Sequence, residues 1–581
     1  MHFKGFLTDS QIYSREPFTV RPPFALMTGE PSQSRAGTSA GGTVEYNLAD
    51  LFESVVDVVP DREALAYLDV PGTGAERRLT YAELDAAASR IGHHLLDSGV
   101  RAGEHVGLHL YNGVEYVQTL LGCMKARIVP VNVNYRYVEE ELVYLYRDAD
   151  LVGLVFDAEF SERVAAALPH TKRLRHLIRV GAAQPGGPAA VDFADAEASG
   201  SPGRGFPKRS ADDQFIIYTG GTTGMPKGVM WRQEDLFFSG LGGGAPTGEP
   251  VRRPEGLAER VAAGGAGITF FPTPPLMHGT STLTALIGFN FGQRVVLHRR
   301  FVPEEVLRTV EREKVSAMSL VGDAMLRPLI DALEGPMKGT DMSSLFSVSS
   351  SGAIMSDTVS RQFRALVPNA VLLNNFGSSE SGFNGTATDD SGPERGFRVR
   401  VNSRTQVVDP ATHEPVAVGE VGRVAQCGHV PLGYYNDPGK TADTFFEKDG
   451  ERWVLLGDMA TVDEEGVVTV LGRGSQCINT GGEKVYPEEV EQALKAHPDV
   501  YDALVAGVPD VKWGHHVAAV VQLRRGAERM SLDDLQTHCR TRLAGYKVPR
   551  QLVITDSIRR SPSGKADYRW AQKVAAGAAG G

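Results

Sequence analysis

The sequence predicts an α/β protein: a large N-terminal α/β domain built of several subdomains, followed by a small, mobile α+β domain. Three observations carry this reading. The chain has 581 residues, too many for one ordinary core. Strand-like and helix-like segments alternate from Val44 onward, the pattern of substantially parallel sheets. Beyond Gly472-Arg473-Gly474-Ser475 the texture changes, and the remaining segment has its own complement of elements. The expected boundaries are 43–472 for the large domain, 473–476 for a hinge, 477–570 for the small domain and 571–581 for a flexible tail. Residues 1–42, Ser/Gly/Pro-rich from Gly29 onward, are expected as a disordered extension without chemistry.

In order along the chain, Thr80-Tyr81-Ala82-Glu83 is a capping box, and Leu84, Ala88, Ile91 and Leu95 follow at helical spacing until Gly99. Val106–Leu110 reads as a strand, Val114–Lys125 as a helix and Ile128–Val133 as a strand. Phe215-Ile216-Ile217 ends another strand. Gly240 to Gly267 reads as a mobile surface loop interrupted by a short helix at Leu257–Ala263. Val295–Leu297 and Ala317–Leu320 are strand candidates around a helix at Pro303–Lys314. Trp453–Leu456 and Val467–Leu471 flank an acidic turn, a hairpin signal. In the last segment, Pro487-Glu488-Glu489 opens a helix, Val517–Leu523 is a strand, and Ser531 to Asp534 caps another helix.

Composition narrows the function classes. Hydrophobic residues at 42% and charged residues at 23% fit an ordinary soluble globular protein. A net charge of −11 argues against nucleic acid as the main partner. Cys123, Cys427, Cys477 and Cys539 form no C-x-x-C pair, which indicates neither a zinc site nor a disulfide framework and fits a reducing cytoplasm. No apolar run approaches the roughly 18 residues of a membrane span, so no transmembrane segment is expected. Homo-oligomerisation is left open.

The chemistry gathers in Tyr218-Thr219-Gly220-Gly221-Thr222-Thr223-Gly224-Met225-Pro226-Lys227-Gly228. Glycines let backbone N–H groups approach an anion, threonine hydroxyls donate further hydrogen bonds, and lysine adds a mobile charge. The spacing is not that of a Walker A loop, since Pro226 precedes the lysine and Gly228 follows it. Taken alone, such a stretch is more often a flexible surface loop. Phe376-Gly377-Ser378-Ser379-Glu380, Gly457-Asp458, Gly472-Arg473 and Ser563-Gly564-Lys565 follow it in order.

With these motifs the chain resembles the AMP-binding, adenylate-forming enzymes over about residues 45–570, and within them the actinobacterial fatty-acyl-CoA and steroid-side-chain-CoA synthetases. The resemblance implies the adenylate-forming fold. It also implies a reaction in which a hydrophobic carboxylic acid and MgATP give acyl-AMP and pyrophosphate, then a thioester with coenzyme A. By the same resemblance Thr219, Gly220, Gly221, Thr222, Thr223, Gly224 and Lys227 surround the triphosphate. Glu380 is the Mg²⁺ ligand, because magnesium takes one or two carboxylates plus phosphate oxygens and water. Ser379 supplies a phosphate-binding hydroxyl, Phe376 a flat face for adenine, Asn375 an amide for its edge, and Gly352, Ala353 and Gly377 further nucleotide contacts. Asp458 would accept from the ribose hydroxyls and Arg473 reach ribose or phosphate at the hinge. The family usually holds Asp or Lys two positions after that arginine; here it is Ser475.

The resemblance also implies that Lys565 is the catalytic cation of the small domain, set to stabilise charge between carboxylate and α-phosphate when that domain docks. Gly481 and Gly482 would line the pantetheine tunnel after rotation, though a plain hairpin turn reads equally well. His278 matches a position between acyl carboxylate and thiol, as an orienting group or as a wall. Met277, Trp231, Val321 and Met325 are apolar candidates for the acyl pocket, or ordinary core. Two alternatives stand beside the synthetase: a ligase that passes acyl-AMP to a carrier-protein thiol, and a non-catalytic nucleotide binder.

Overall fold

A computed structural model describes residues 44–68, 76–220, 225–245, 248–265, 267–388, 396–480, 482–527, 529–560 and 564–578. The expected extension at 1–42 lies outside them. Among the described residues the strands join into three sheets.

The largest sheet is parallel on one side and antiparallel on the other. Its parallel block runs through Glu63–Tyr67, Arg294–Leu297, Thr269–Pro272, Ala317–Leu320, Ser347–Ser351 and Val371–Ser378. At Val371–Ser378 the chain reverses into Gly382–Ala387, and antiparallel pairing continues through Phe397–Val401, Val468–Arg473, Glu451–Val462 and Gly422–Cys427. Catalytic loops belong where strand ends converge in such sheets, and this reversal carries Ser379 and Glu380. The second sheet sets the antiparallel pair Gln214–Thr219 and Lys227–Arg232 beside the parallel strands Val129–Asn132, His105–His109 and Gly153–Asp157. The helix Val114–Lys125 packs on it, and the helix Tyr81–Asp97 packs on that helix, burying Leu84, Ala88, Ile91 and Leu95. The capping box at Thr80 and Glu83 forms as the sequence predicts.

The third sheet is C-terminal. It joins Ile478–Thr480 and Glu483–Val485 to the long hairpin of Val500–Asp510 and Gly514–Leu523, with Gln551–Ile554 added in parallel. Helices Pro487–Lys495 and Leu532–Arg540 cover one side, the latter with a capping box between Ser531 and Asp534.

Two local expectations change. The segment after Gly240 is not simply a surface loop: Gly243, Gly244, Val251 and Leu257 are buried, because the helix Gly256–Ala262 turns Leu257 and Val261 into the core. Residues 571–578, expected as a tail, form the body of the helix Tyr568–Ala578. Ala571 and Ala575, four apart and so on one face, are buried against Leu504, Ala506 and Val520 of the third sheet. Their small side chains give the sequence little hydrophobic signal. No described helix is long and apolar enough to cross a membrane.

Candidate active site

The Gly/Thr stretch is flanked by two antiparallel strands, Gln214–Thr219 and Lys227–Arg232. Its flanking strands pair with Tyr218 opposite Gly228 and Thr219 opposite Lys227. Gly221, Thr222, Thr223 and Gly224 lie outside the described residues; Thr219, Gly220 and Lys227 bracket them. Lys227 Nζ meets Asp437 Oδ2 at 2.5 Å and stands 5.6 Å from the centre of the Tyr434 ring. Asp437 also caps the helix Pro438–Thr444 by accepting from the Lys440 N–H. Lys227 first, and that N–H second, hold its carboxyl below the usual range. The Tyr434 hydroxyl donates to Glu380 Oε1 at 3.0 Å. Burial, then Glu380, drives the phenol pKa well above its ordinary value. One tyrosine therefore touches both the loop lysine and the candidate metal ligand.

Glu380 sits where Val371–Ser378 turns back into Gly382–Ala387. The turn requires glycine at 377: a Cβ there would fall 2.1 Å from the Gly382 carbonyl oxygen. Phe376 is half-buried and meets Phe397 edge-on at 6.4 Å, while Asn375 Oδ1 accepts from the Thr386 hydroxyl at 3.1 Å. Trp231 is core rather than pocket wall. It is fully buried, and its Nε1–H donates to the Ser379 carbonyl at 3.0 Å, tying the hairpin to the turn that carries Glu380. Among the described residues no group of three or more His, Cys, Asp or Glu could hold a metal ion. Glu380 alone suits a cation that draws its remaining ligands from phosphate and water.

Lys565 comes to this place from the C-terminal part. A Cβ on Gly352, whose φ is +82°, would lie 3.2 Å from Lys565 Cε; one on Gly564 would lie 3.0 Å from the Val321 carbonyl oxygen. Lys565 remains accessible to water along the cleft. Even so, the surrounding protein is dense enough that desolvation first, and Arg473 second, lowers its pKa, against Glu380 and Asp458. Asp458 and Arg473 face each other on adjacent strands, Oδ1 to Nε 3.7 Å. Burial raises the Asp458 pKa, opposed chiefly by Arg473 and also by Lys565. Lys565, Glu380, Asp458 and Arg473 thus share one electrostatic environment. The Ala353 carbonyl accepts from Ser350 Oγ at 2.7 Å, which shapes the loop below Lys565.

His278 precedes the helix Gly279–Asn290. Its Nε2 is buried without a hydrogen-bond partner, and burial, with Lys565 and Arg136 adding to it, pushes its pKa down to about 3. The ring is neutral and a weak base, which favours the wall reading. A narrow apolar pocket adjoins it, lined by Tyr116, Leu120, Ile217, Met277 and Leu283 among others. Gly482 lies in the exposed turn between Ile478–Thr480 and Glu483–Val485, with nothing within 4 Å of a Cβ placed there; its neighbour Gly481 is outside the described residues.

Sequence reasoning missed Tyr434, Asp437 and Asn132. The Asn132 amide accepts from Tyr218 N–H at 2.7 Å and donates to the carbonyls of Tyr218 and Met277 at 2.8 and 2.7 Å, joining the loop strand to the His278 segment. Asp437-Pro438 does carry an N-cap signature, which could have flagged a helix start but not its partner.

Comparisons with known proteins place the chain in a family. The AMP-binding enzyme family model matches residues 52–435, and the AMP-binding enzyme C-terminal domain model matches 489–565. A medium/long-chain-fatty-acid–CoA/3-oxocholest-4-en-26-oate–CoA ligase of Mycobacterium tuberculosis is 46% identical over 542 residues, covering 91% of this chain and 96% of that one. A 3-oxocholest-4-en-26-oate–CoA ligase of Rhodococcus rhodochrous is 44% identical, covering 90% and 95%. Among solved structures, the anthranilate CoA ligase AuaEII with anthranoyl-AMP superposes with a TM-score of 0.79 at 23% identity, over 92% of this chain and 98% of that one. ATP-bound MatB from Rhodopseudomonas palustris gives 0.76 at 24%, over 92% and 99%.

Proposed function

Because the chain belongs to the AMP-binding enzyme family, we propose that it is an AMP-forming acid–thiol ligase acting on hydrophobic carboxylic acids in the cytoplasm. In the first step a carboxylate oxygen attacks the α-phosphorus of ATP and the bond to pyrophosphate breaks, leaving acyl-AMP. In the second the coenzyme A thiol, losing its proton, attacks the acyl carbon and AMP leaves. The relatives named for medium- and long-chain fatty acids and a steroid side-chain acid supply the substrate class.

The observation that supports this reading most directly is Lys565 against Gly352, beside Glu380, Asp458 and Arg473. A carboxylate and a triphosphate repel, so the first step needs fixed positive charge between them. Lys565 supplies it at the α-phosphate. Lys227, released from Asp437, takes the outer phosphates together with Thr219, Gly220 and the threonines and glycines up to Gly224. Phe376 and Asn375 receive adenine, Asp458 and Arg473 the ribose, and Gly352, Ala353, Gly377 and Ser379 complete the nucleotide wall. Glu380, steadied by Tyr434, would hold Mg²⁺, which when bound neutralises phosphate charge. His278 closes the acyl side without trading protons. The segments 43–472 and 477–570 act as domains about the hinge at 473–476, and rotation would bring Gly481 and Gly482 to the pantetheine arm.

Pyrophosphate release and hydroxamate trapping, run over fatty acids of rising length and steroid side-chain acids, test this. The expected outcome is acid-dependent pyrophosphate release and a thioester only with coenzyme A present. Acyl-AMP formation without transfer to free coenzyme A would favour a carrier-protein ligase, and ATP binding without acid-dependent turnover would sink the enzyme reading.

A further inference from the structure

We propose that a buried relay of four alternating charges, Asp323–Lys495–Asp502–Arg560, positions Lys565 against Gly352 and so couples docking of the C-terminal part to the first half-reaction. The inference rests on the reading of Lys565 as the adenylation cation.

The relay starts beneath the nucleotide wall. Asp323 lies in the first turn of the helix Gly322–Glu334, and its Oδ1 accepts from the Ser356 N–H at 2.8 Å, anchoring the segment just after Gly352 and Ala353. Its Oδ2 is buried, makes no hydrogen bond, and faces Lys495 Nζ at 3.6 Å. Lys495 ends the helix Pro487–Lys495 and stands 3.5 Å from Asp502 Oδ1. Asp502 receives Arg560 Nε and Nη2 at 2.8 and 2.7 Å, a two-pronged pair. The remaining nitrogen, Arg560 Nη1, donates to the Gly564 carbonyl at 3.2 Å, one residue before Lys565. None of the four side chains is more than 13% exposed.

Buried ions are costly without partners. The four charges here cancel in pairs, and the link between Lys495 and Asp323 is the one that crosses from the C-terminal part to the large part. With that part undocked, Asp323 and Lys495 would each lose this partner. The relay therefore completes itself only in the orientation that also seats Lys565. Alongside it the Tyr501 hydroxyl donates to Asp331 at 3.1 Å, and Arg327, whose Nε and Nη2 make no hydrogen bond, faces the Tyr501 ring at 5.2 Å. These contacts widen the interface, but they do not lead to the Lys565 loop as Arg560 does.

The test separates the two half-reactions in single turnovers: acyl-AMP formation from acid and ATP, and thioester formation from prepared acyl-AMP and coenzyme A. Asp323→Asn and Lys495→Gln approach the link from opposite sides. Each should slow acyl-AMP formation about tenfold or more, since small misplacements of a reacting group are expensive, and leave thioester formation within about twofold. The double variant should fall no further than either single one, as partners in one interaction do. Lys495→Gln added to Lys565→Ala should cost nothing more. Equal loss in both half-reactions, or additive losses, would overturn the relay. Retained thioester formation certifies folding; if Asp323→Asn fails to fold, Lys495→Gln alone decides between these outcomes. A Lys565→Ala enzyme that forms acyl-AMP normally would instead overturn the underlying reading of Lys565, whatever the relay variants do.

Discussion

Lys565 and Gly352 make the sharpest demands on single side chains. Removing one preorganised charge-stabilising donor typically costs ~10²–10³ in rate. Lys565→Ala is therefore expected to lose acyl-AMP formation by about that factor while keeping much of the thioester step from prepared acyl-AMP, read in the same single-turnover assays. Gly352→Ala attacks the same contact from the other side. Its φ of +82° disfavours any side chain, and the new Cβ would press on Lys565 Cε at 3.2 Å. Acyl-AMP formation should drop about tenfold or more, by the sensitivity of reactions to small displacements, with the melting temperature measured alongside. His278 behaves differently. With its pKa near 3, an unfolded chain binds a proton at this residue from about pH 6.5 downward while the folded chain does not until far lower. It should thus cost stability as pH falls through that window, and its ring resonances in NMR should not move between about pH 8 and pH 5. Movement there would count against the wall reading of His278.

At the scale of elements, the helix Pro487–Lys495 packs against the strand Val468–Arg473. Glu488 opens it, an acid placed favourably at a helix start by the sequence rule, yet its Oε2 is buried without a hydrogen bond. A Cβ on Gly472 would come 2.3 Å from that oxygen, so glycine there leaves room for this carboxyl. Burial first, then Glu491 and Asp458, push its pKa up to about 8 from an ordinary 4.5. Between those values the folded chain keeps a proton that the unfolded chain releases, so stability should fall as pH rises across the window. Glu488→Gln should flatten that loss, seen by calorimetry between about pH 5 and pH 8; an unchanged slope would mean the carboxyl is solvated. The helices and strands were mostly legible because periodicity and caps are local: the box at Thr80 and the helix Val114–Lys125 appear as expected. The helix Tyr568–Ala578 was not, since its inner face is alanine.

Over the whole molecule, what the sequence hid is what depends on distant pairings. Lys227 and Glu380 carry chemistry in their own motifs and could be singled out, whereas Asp437 is 210 residues from Lys227 and Tyr434 is 54 from Glu380. Nothing local distinguishes that tyrosine or that cap from ordinary ones. For Trp231 the sequence left pocket and core open, and its packing in the core depends on tertiary contacts that no local pattern shows. The relay from Asp323 to Arg560 spans both parts of the chain and has no sequence signature at all.

The hairpin setting of the Gly/Thr loop has an electrostatic consequence. The chain enters from Gln214–Thr219 and leaves along Lys227–Arg232, strand to strand, and the helix start that Lys227 meets, at Pro438, is already capped by Asp437. On the proposed reading, attraction for the outer phosphates falls to hydroxyls, backbone amides and one lysine that already has a carboxylate beside it. Lys227 is about one-third exposed, open to mobile ions, and at physiological ionic strength charges are screened over about 8 Å. Added salt should therefore weaken ATP binding more than AMP binding in equilibrium titrations, and Asp437→Asn should tighten ATP at low salt by freeing the cation beforehand.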